Sequence, residues 1–201
     1  GRPQGTPTIA GELTLTSVPV EGLAATVLGP AALIGGSGVW PEGPLGGAGE
    51  ERSTSGRVHV TAPVLTAGGA DVLKEVALDI DWDNQGIRVR NLWGAVGGGR
   101  LMLDAGLCCA GPSPQRTLTA RVSLENADLT SLLPPAAAAR LDGAVSGAAQ
   151  VEGTGESLAA VMASLAGEGS YQIRDLRVAG FDAATFAEIG GLEGILDMQP
   201  D

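Results

Sequence analysis

Apolar and polar residues alternate with a period of two along most of this chain, a pattern typical of β-strands with one buried and one wet face. The clearest example is 76–82 (VALDIDW), where Val, Leu, Ile and Trp alternate with Ala and two Asp residues. A turn-forming sequence, 83–86 (DNQG), follows it. The next strand carries Arg88 and Arg90 on its polar side and Asn91 on its apolar side. We therefore predict a β-hairpin in which the arginines lie across from the aspartates.

The same alternation extends over most of the remaining sequence. It predicts strands at 8–20, 57–66, 100–107, 117–125, 144–152 and 170–178. Proline has no N–H to donate, so Pro63 predicts an edge or bulged strand. Asp128, Ser157 and Asp182 precede short helical patterns and have side chains that cap helix N-termini. The chain is thus predicted to be mainly β, an antiparallel, repeat-like curved sheet, open as a groove or barrel-like, with two or three short helices.

Composition adds a long loop to this picture. Glycine accounts for 32 residues and proline for 12, which indicates many turns between short strands. The segment 35–55 is the richest in Gly, Pro, Ser and Glu, and such a composition buries too little apolar surface to order itself. We expect a flexible loop there, attached to the body of the protein by Trp40. Residues 1–201, with this loop included, are expected to form a single β-rich module that belongs to a longer chain.

The charge balance argues against nucleic acid as a partner. The formal net charge is −11, and the 12 Lys and Arg residues are spread over the whole chain, whereas a nucleic-acid binder shows a basic face. The longest apolar stretch, 23–34, contains Gly29 and Pro30 and is too short to span a bilayer.

One group of acidic residues resembles the start of a calcium-binding loop. Asp79, Asp81 and Asp83 alternate with other residues, but such a loop needs Gly at its sixth position and Glu at its twelfth. Those positions hold Asn84 and Arg90. Since the aspartates also follow the strand period, we expect a solvated strand face and no metal site.

The sequence offers little for catalysis. His59 is the only histidine and has no neighbour at metal-ligand spacing, so we interpret it as a structural or surface residue. Cys108 and Cys109 are adjacent and are expected to be two free thiols at a strand end. There is no nucleophile elbow and no phosphate-binding loop. We expect a protein that is not an enzyme and needs no cofactor; a hydrolase with a Ser-His-Asp or Cys-His site would have to use His59.

Several motifs resemble the C-terminal region of the AsmA family. The sequence of 141–147 (LDGAVSG) is echoed at 165–171 (LAGEGSY), as in a repeat architecture. The segments 98–103 (GGRLML), 122–133 (VSLENADLTSLL) and 165–182 (LAGEGSYQIRDLRVAGFD) are similar to the strands and joints of that family. The last segment departs from the family pattern, because Leu176 stands where Gly is usual and Phe181 where Ile or Leu is usual.

The resemblance implies a function in lipid movement. Members of the family are periplasmic, β-rich proteins of Gram-negative bacteria, similar to bridge-like lipid transfer proteins and tied to outer-membrane biogenesis. It implies a periplasmic module of a parent chain anchored in the inner membrane. The partners would be a phospholipid or other acyl-chain lipid and, in addition, envelope proteins.

The apolar strand faces supply the candidate lipid-binding residues. They are Val76, Leu78, Ile80, Trp82, Ile87, Val89, Leu101, Leu103, Leu118, Val122, Leu124, Val145, Val151 and Ile173. Periodicity alone favours a closed barrel or sandwich core, which would suit a structural or docking module of the cell envelope. Only the family resemblance favours an open groove for acyl chains.

Overall fold

The strand pattern of the sequence folds into one large sheet. A computed structural model describes residues 7–35, 40–45, 54–108 and 115–179. The strands are β1 (Thr8–Thr14), β2 (Val18–Pro19), β3 (Ser55–Ala67), β4 (Ala70–Trp82), β5 (Gly86–Val96), β6 (Gly99–Cys108), β7 (Arg116–Asp128), β8 (Leu141–Gly155) and β9 (Ala166–Val178). The helices in these residues are α1 (Val20–Leu28), α2 (Leu129–Leu132), α3 (Pro135–Ala138) and α4 (Leu158–Ala163), with a 3-10 helix at Pro30–Leu33.

The sheet is curved and does not close on itself, so the predicted fold class is confirmed. From β3 to β9 each strand pairs antiparallel with the next one in the sequence. Two of the hairpin turns are glycine pairs, Gly68-Gly69 and Gly97-Gly98, with positive φ at both residues. This backbone matches the right-handed twist of the flanking strands. Strands β1 and β2 both pair with β3, in parallel.

Pro63 does not lie in an edge strand, and that part of the prediction is wrong. Strand β3 has neighbours on both sides. On one side, β1 pairs with 55–61 and β2 begins opposite Leu65, so Pro63 lies in the gap between them. On the other side, Pro63 and Glu75 of β4 are not paired. The backbone pairing of β3 is thus interrupted on both sides at Pro63, which has no N–H to donate.

Four strands contain a bulge with the same backbone conformation. Glu75, Asn91, Asn126 and Asp175 have φ between 51° and 53°, and each lies at a register shift, in β4, β5, β7 and β9 respectively. A bulge adds one residue to a strand and increases its local twist. The four bulges therefore contribute to the curvature of the sheet, and each one shifts the phase of the apolar alternation.

The bulge at Asn91 corrects the predicted orientation of this residue. Asn91 was expected on the apolar side, but its side-chain amide donates to Asp79 at 2.8 Å on the polar side. Its backbone N–H donates to Asp104, also at 2.8 Å. The extra residue places Leu92 in the core and leaves Trp93 partly exposed, under the guanidinium of Arg100 at 5.6 Å.

Part of the apolar face is covered by chain segments that form two cores with it. The first core contains Val18, Val60, Ala62, Leu65, Leu73, Val76, Leu78, Val89 and Leu92, with Leu23 of α1 packed against it. The second contains Ala32, Leu45, Ile87, Leu107 and Val161. Helices α1 and α4 and the segment 40–45 thus cover β3, β4, β5 and the nearby ends of β6 and β7.

The predicted loop at 35–55 is in part a packed segment. Leu45 is 2% exposed, its N–H donates to the carbonyl of Glu156, and Pro44 forms a bridge with Ser157. Trp40 is exposed, so Leu45 and not Trp40 anchors this segment. Residues 36–39 and 46–53 lie outside the described residues.

Helix α4 lies directly on two glycines of β8. A Cβ atom on Gly155 would lie 2.6 Å from the backbone nitrogen of Val161, and one on Gly153 would lie 2.5 Å from the carbonyl oxygen of Val161. The predicted caps are confirmed, because Ser157 accepts from Ala160 at the start of α4, and Asp128 caps α2 in the same way. The cap predicted at Asp182 lies outside the described residues.

The cysteine prediction is wrong. Cys108, at the end of β6, is disulfide-bonded and not a free thiol. The sequence has one other cysteine, Cys109, which lies outside the described residues. The expectation rested on adjacent strand residues pointing to opposite faces, and this rule does not extend beyond Cys108 because β6 ends there.

Candidate functional site

The polar face of the sheet carries an ordered network around Asp79, Asp81 and Asp83, which we call the aspartate ladder. Asp81 accepts from the Nε atoms of Arg57 at 2.5 Å and Arg90 at 2.6 Å. Partial burial raises the pKa of Asp81, but the hydrogen bonds from the two arginines outweigh this and hold it below the ordinary value. The prediction that the arginines lie across from the aspartates is confirmed, since the register pairs Asp79 with Arg90 and Asp81 with Arg88. The ion pairs themselves are diagonal, because Arg90 binds Asp81 and Arg88 binds Asp83.

The other two rungs are held by different donors. The side-chain amide of Asn91 and then His59, whose Nδ1 lies 2.8 Å from Oδ1, lower the pKa of Asp79. The backbone N–H of Gln85 is the main cause of the lowered pKa of Asp83. Each carboxylate of the aspartate ladder is therefore stabilised in its ionised form.

The ladder is an ion-pair network that spans β3, β4 and β5. In the described residues, no three acidic, histidine or cysteine side chains are placed to hold a metal ion. The polar strand face that the alternation predicted is present and its arginines are exposed, but Asp79 and Asp81 are partly buried.

The structure divides the fourteen predicted lipid-binding residues into two groups. All of them lie on the apolar face, since the register pairs Val58 with Ile80, Ile80 with Val89, and Leu103 with Val122. Nine belong to the two cores or pack against them, and seven of these nine lie in the covered region: Val76, Leu78, Ile80, Trp82, Ile87, Val89 and Leu118. Their side chains are covered by other parts of the chain and leave little surface for a ligand.

The other seven form what we call the open apolar surface: Leu101, Leu103, Val122, Leu124, Val145, Val151 and Ile173. They come from four adjacent strands, β6 to β9. Ile173 is 37% exposed and the other six are partly buried. Leu101 and Leu103 also touch the first core, so the open apolar surface continues directly from the covered region.

Helices lie near both ends of the open apolar surface. Helix α4 contacts β7 and β8 where Leu118 pairs with Gly153, and α2 follows the last residue of β7 at the other end. From Ala120 to Ala127 along β7 this surface is about 20 Å long at the rise of a β-strand. Small side chains, Ala105, Ala120 and Ala149, lie towards the end of this surface that is nearer to α4.

Sequence reasoning missed several exposed apolar residues beside this surface. Tyr171 is 82% exposed and lies opposite Gly147, on the same face as Ile173. Strand parity alone could have identified it. Leu176 and Val178 are also exposed, and the register places Val178 opposite Leu141. The bulge at Asp175 shifts the parity of these two, which the alternation did not reveal.

In the described residues, no helix is long and apolar enough to cross a membrane. Comparisons of this chain with protein-family models, with curated proteins and with solved structures find no match.

Proposed function

We propose that the open apolar surface binds the acyl chain of a phospholipid or another acyl-chain lipid, and that the chain is a non-catalytic lipid-binding module of the cell envelope. One observation carries the proposal: seven apolar side chains on the four adjacent strands β6 to β9 stay partly exposed, while Val76, Leu78, Ile87 and Val89 on β4 and β5 of the same face are buried. Contiguous exposed apolar surface of this kind marks a binding site.

The dimensions of the open apolar surface suit one acyl chain. A chain spans half of the hydrocarbon core of a bilayer, about 15 Å, and the surface is about 20 Å long. Each buried methylene contributes about 0.8 kcal/mol, so affinity would come from many weak contacts. Such binding needs no reactive side chain.

Two further observations support a periplasmic location. Disulfides persist in oxidising compartments, of which the bacterial periplasm is one, and Cys108 is disulfide-bonded. The motifs that resemble the AsmA family lie in β6 to β9, the strands that carry the open apolar surface. The resemblance extends the proposal to phospholipid movement in outer-membrane biogenesis, by a parent chain anchored in the inner membrane.

A second candidate function is a structural or docking module in envelope assembly. The two filled cores favour it, because they show that half of the apolar face serves packing and not binding. In that case the open apolar surface would receive a protein and would not take up lipid.

Lipid binding by the purified chain tests the proposal. A fluorescent phospholipid is titrated against the wild type, Val122→Asp and the matched control Thr119→Asp. Both positions are on β7, but Val122 lies on the open apolar surface and Thr119 is exposed on the polar face. A carboxylate in an apolar site is costly, so we expect Val122→Asp to weaken binding at least tenfold and Thr119→Asp to leave it unchanged.

Circular dichroism and thermal melting of the same variants show whether the fold is retained. His59→Ala, on the polar face, should bind lipid like the wild type. The proposal fails if the wild type binds no phospholipid, or if Thr119→Asp and a folded Val122→Asp bind equally well. Co-purification of a specific protein on the open apolar surface, with no lipid bound, would favour the docking module instead.

A further inference from the structure

Strand β9 is an edge of the sheet that is exposed over its whole length. All thirteen residues, Ala166 to Val178, are exposed. Within the described part of the chain, β9 pairs with β8 on one side and with no strand on the other. Its outer N–H and C=O groups are therefore a template for pairing with another strand.

The first part of this edge lacks the usual protection against pairing. Edge strands are commonly blunted by charged side chains, lysine above all, by proline or by a bulge. Between Ala166 and Arg174 there is no lysine and no proline, the two charged residues, Glu168 and Arg174, are of opposite sign, and the bulge comes only at Asp175. This regular stretch presents Tyr171, 82% exposed, near its centre.

We propose that β9 pairs antiparallel with β9 of a second copy of this chain, with Tyr171 facing its counterpart across a two-fold axis. Opposite residues in such a pair are equidistant from the axis, so Glu168 of one copy lies opposite Arg174 of the other, and the reverse. This pair of opposite charges therefore occurs twice in the dimer. Slipping the register by one residue would place Glu168 opposite Ile173 or opposite Asp175, which loses the attraction or creates repulsion.

The other edge of the sheet does not offer this complementarity. Strand β1 is also exposed over its length, but its one charged residue is Glu12. A contact between β1 of one copy and β9 of another would be head-to-tail and would generate open polymers. The β9 pair closes as a dimer and needs no further copy.

The dimer would join two nine-stranded sheets edge to edge. The open apolar surface reaches β9 at Ile173, so the two copies of that surface would meet at the two-fold axis. The inference goes beyond lipid binding and holds whether or not a lipid is bound, since it depends only on the edge of β9.

Sedimentation velocity and light scattering on the full chain, from about 1 to 100 µM, test the inference. We expect a wild-type dimer. Glu168→Arg and Arg174→Glu should each weaken the dimer at least tenfold, and the double variant should restore it to within about threefold of the wild type. Glu152→Arg, an exposed charge reversal on β8, should leave the dimer unchanged.

Three results would overturn the inference. The first is a wild-type monomer at all concentrations, and the second is a dimer that persists in folded Glu168→Arg. The third is single variants that dissociate while the folded double variant does not recover. Oligomers that grow steadily with concentration would indicate head-to-tail pairing and also reject the β9 pair. Lipid binding is measured separately, so failure of either proposal is recognised without the other.

Discussion

The division of one sheet face into a filled core and an open surface makes a quantitative prediction for two leucines. Leu78 is 1% exposed in the first core, while Leu124 is partly buried on the open apolar surface. Leu→Ala removes three carbons, about 2.4 kcal/mol of transfer free energy at full burial. At Leu78 a residual cavity adds to this, so we expect a loss of about 3–5 kcal/mol in the free energy of unfolding. At Leu124, where part of the side chain is already in contact with water, the expected loss is smaller, about 1.5 kcal/mol.

Urea unfolding followed by circular dichroism measures both losses. With a slope of about 1–3 kcal/mol per molar urea, the two midpoints should differ by roughly 1 M or more. The variants carry the same chemical change, so the difference reports only the surroundings of each leucine. Equal losses of about 1.5 kcal/mol would show that the first core is not filled. Equal losses above 3 kcal/mol would show that the open apolar surface is covered in solution, and the lipid proposal would lose its site.

Three further predictions concern acid, a bulge and a glycine. The pKa values of the aspartate ladder lie below the ordinary 3.8, so the unfolded chain takes up protons before the folded chain does as the solution is acidified. The free energy of unfolding should therefore fall as pH drops from about 5 through the lowered pKa values. Unfolding measured over a pH series should show a shallower fall for Asp81→Asn than for the wild type. Glu75 has positive φ, so Glu75→Asn should raise stability by about 0.5–1 kcal/mol and Glu75→Val should lower it, and the opposite order in urea midpoints would refute the bulge. Gly155→Ala should cost about 1–3 kcal/mol, because its Cβ would meet Val161 of α4, and an unchanged melting temperature would contradict that contact.

The alternation of side chains was sufficient to predict most of the strands, because a period of two depends only on local sequence. The strand predicted at 8–20 is wrong in its extent, since it is divided into β1 and β2 and Val20 begins α1. The hairpin of β4 and β5 and the caps at Asp128 and Ser157 followed in the same way from turn and capping residues. Helix α1 was missed, because Val20 and Gly22 have low helix propensity and the helix is held by packing on the first core.

The bulges and the covering of the sheet could not be predicted from local sequence. The shift at Asn91 depends on hydrogen bonds to Asp79 and Asp104, on the two neighbouring strands. The role of Leu45 depends on a contact with Glu156, far away in the sequence. The extent of the open apolar surface depends on where the covering segments, such as 40–45, end. The alternation of side chains therefore identified the apolar face of the sheet but not the part of it that stays open.

The parallel pairing of β1 with β3 has a consequence for folding. Thr8 and Ser55, which are hydrogen-bonded across this pair, are 47 residues apart, whereas the consecutive strands from β3 to β9 are separated by at most 12 residues, 129–140. Closing the longer loop costs about 3 kcal/mol of chain entropy, so the meander should assemble first and β1 should dock last. On unfolding, the reverse of this order of assembly makes β1 the first strand to detach from the sheet, since it is exposed along its length and contacts one neighbouring strand. Its loss would uncover most of one side of the thirteen-residue strand β3, which makes the docking rate of β1 a determinant of aggregation during folding.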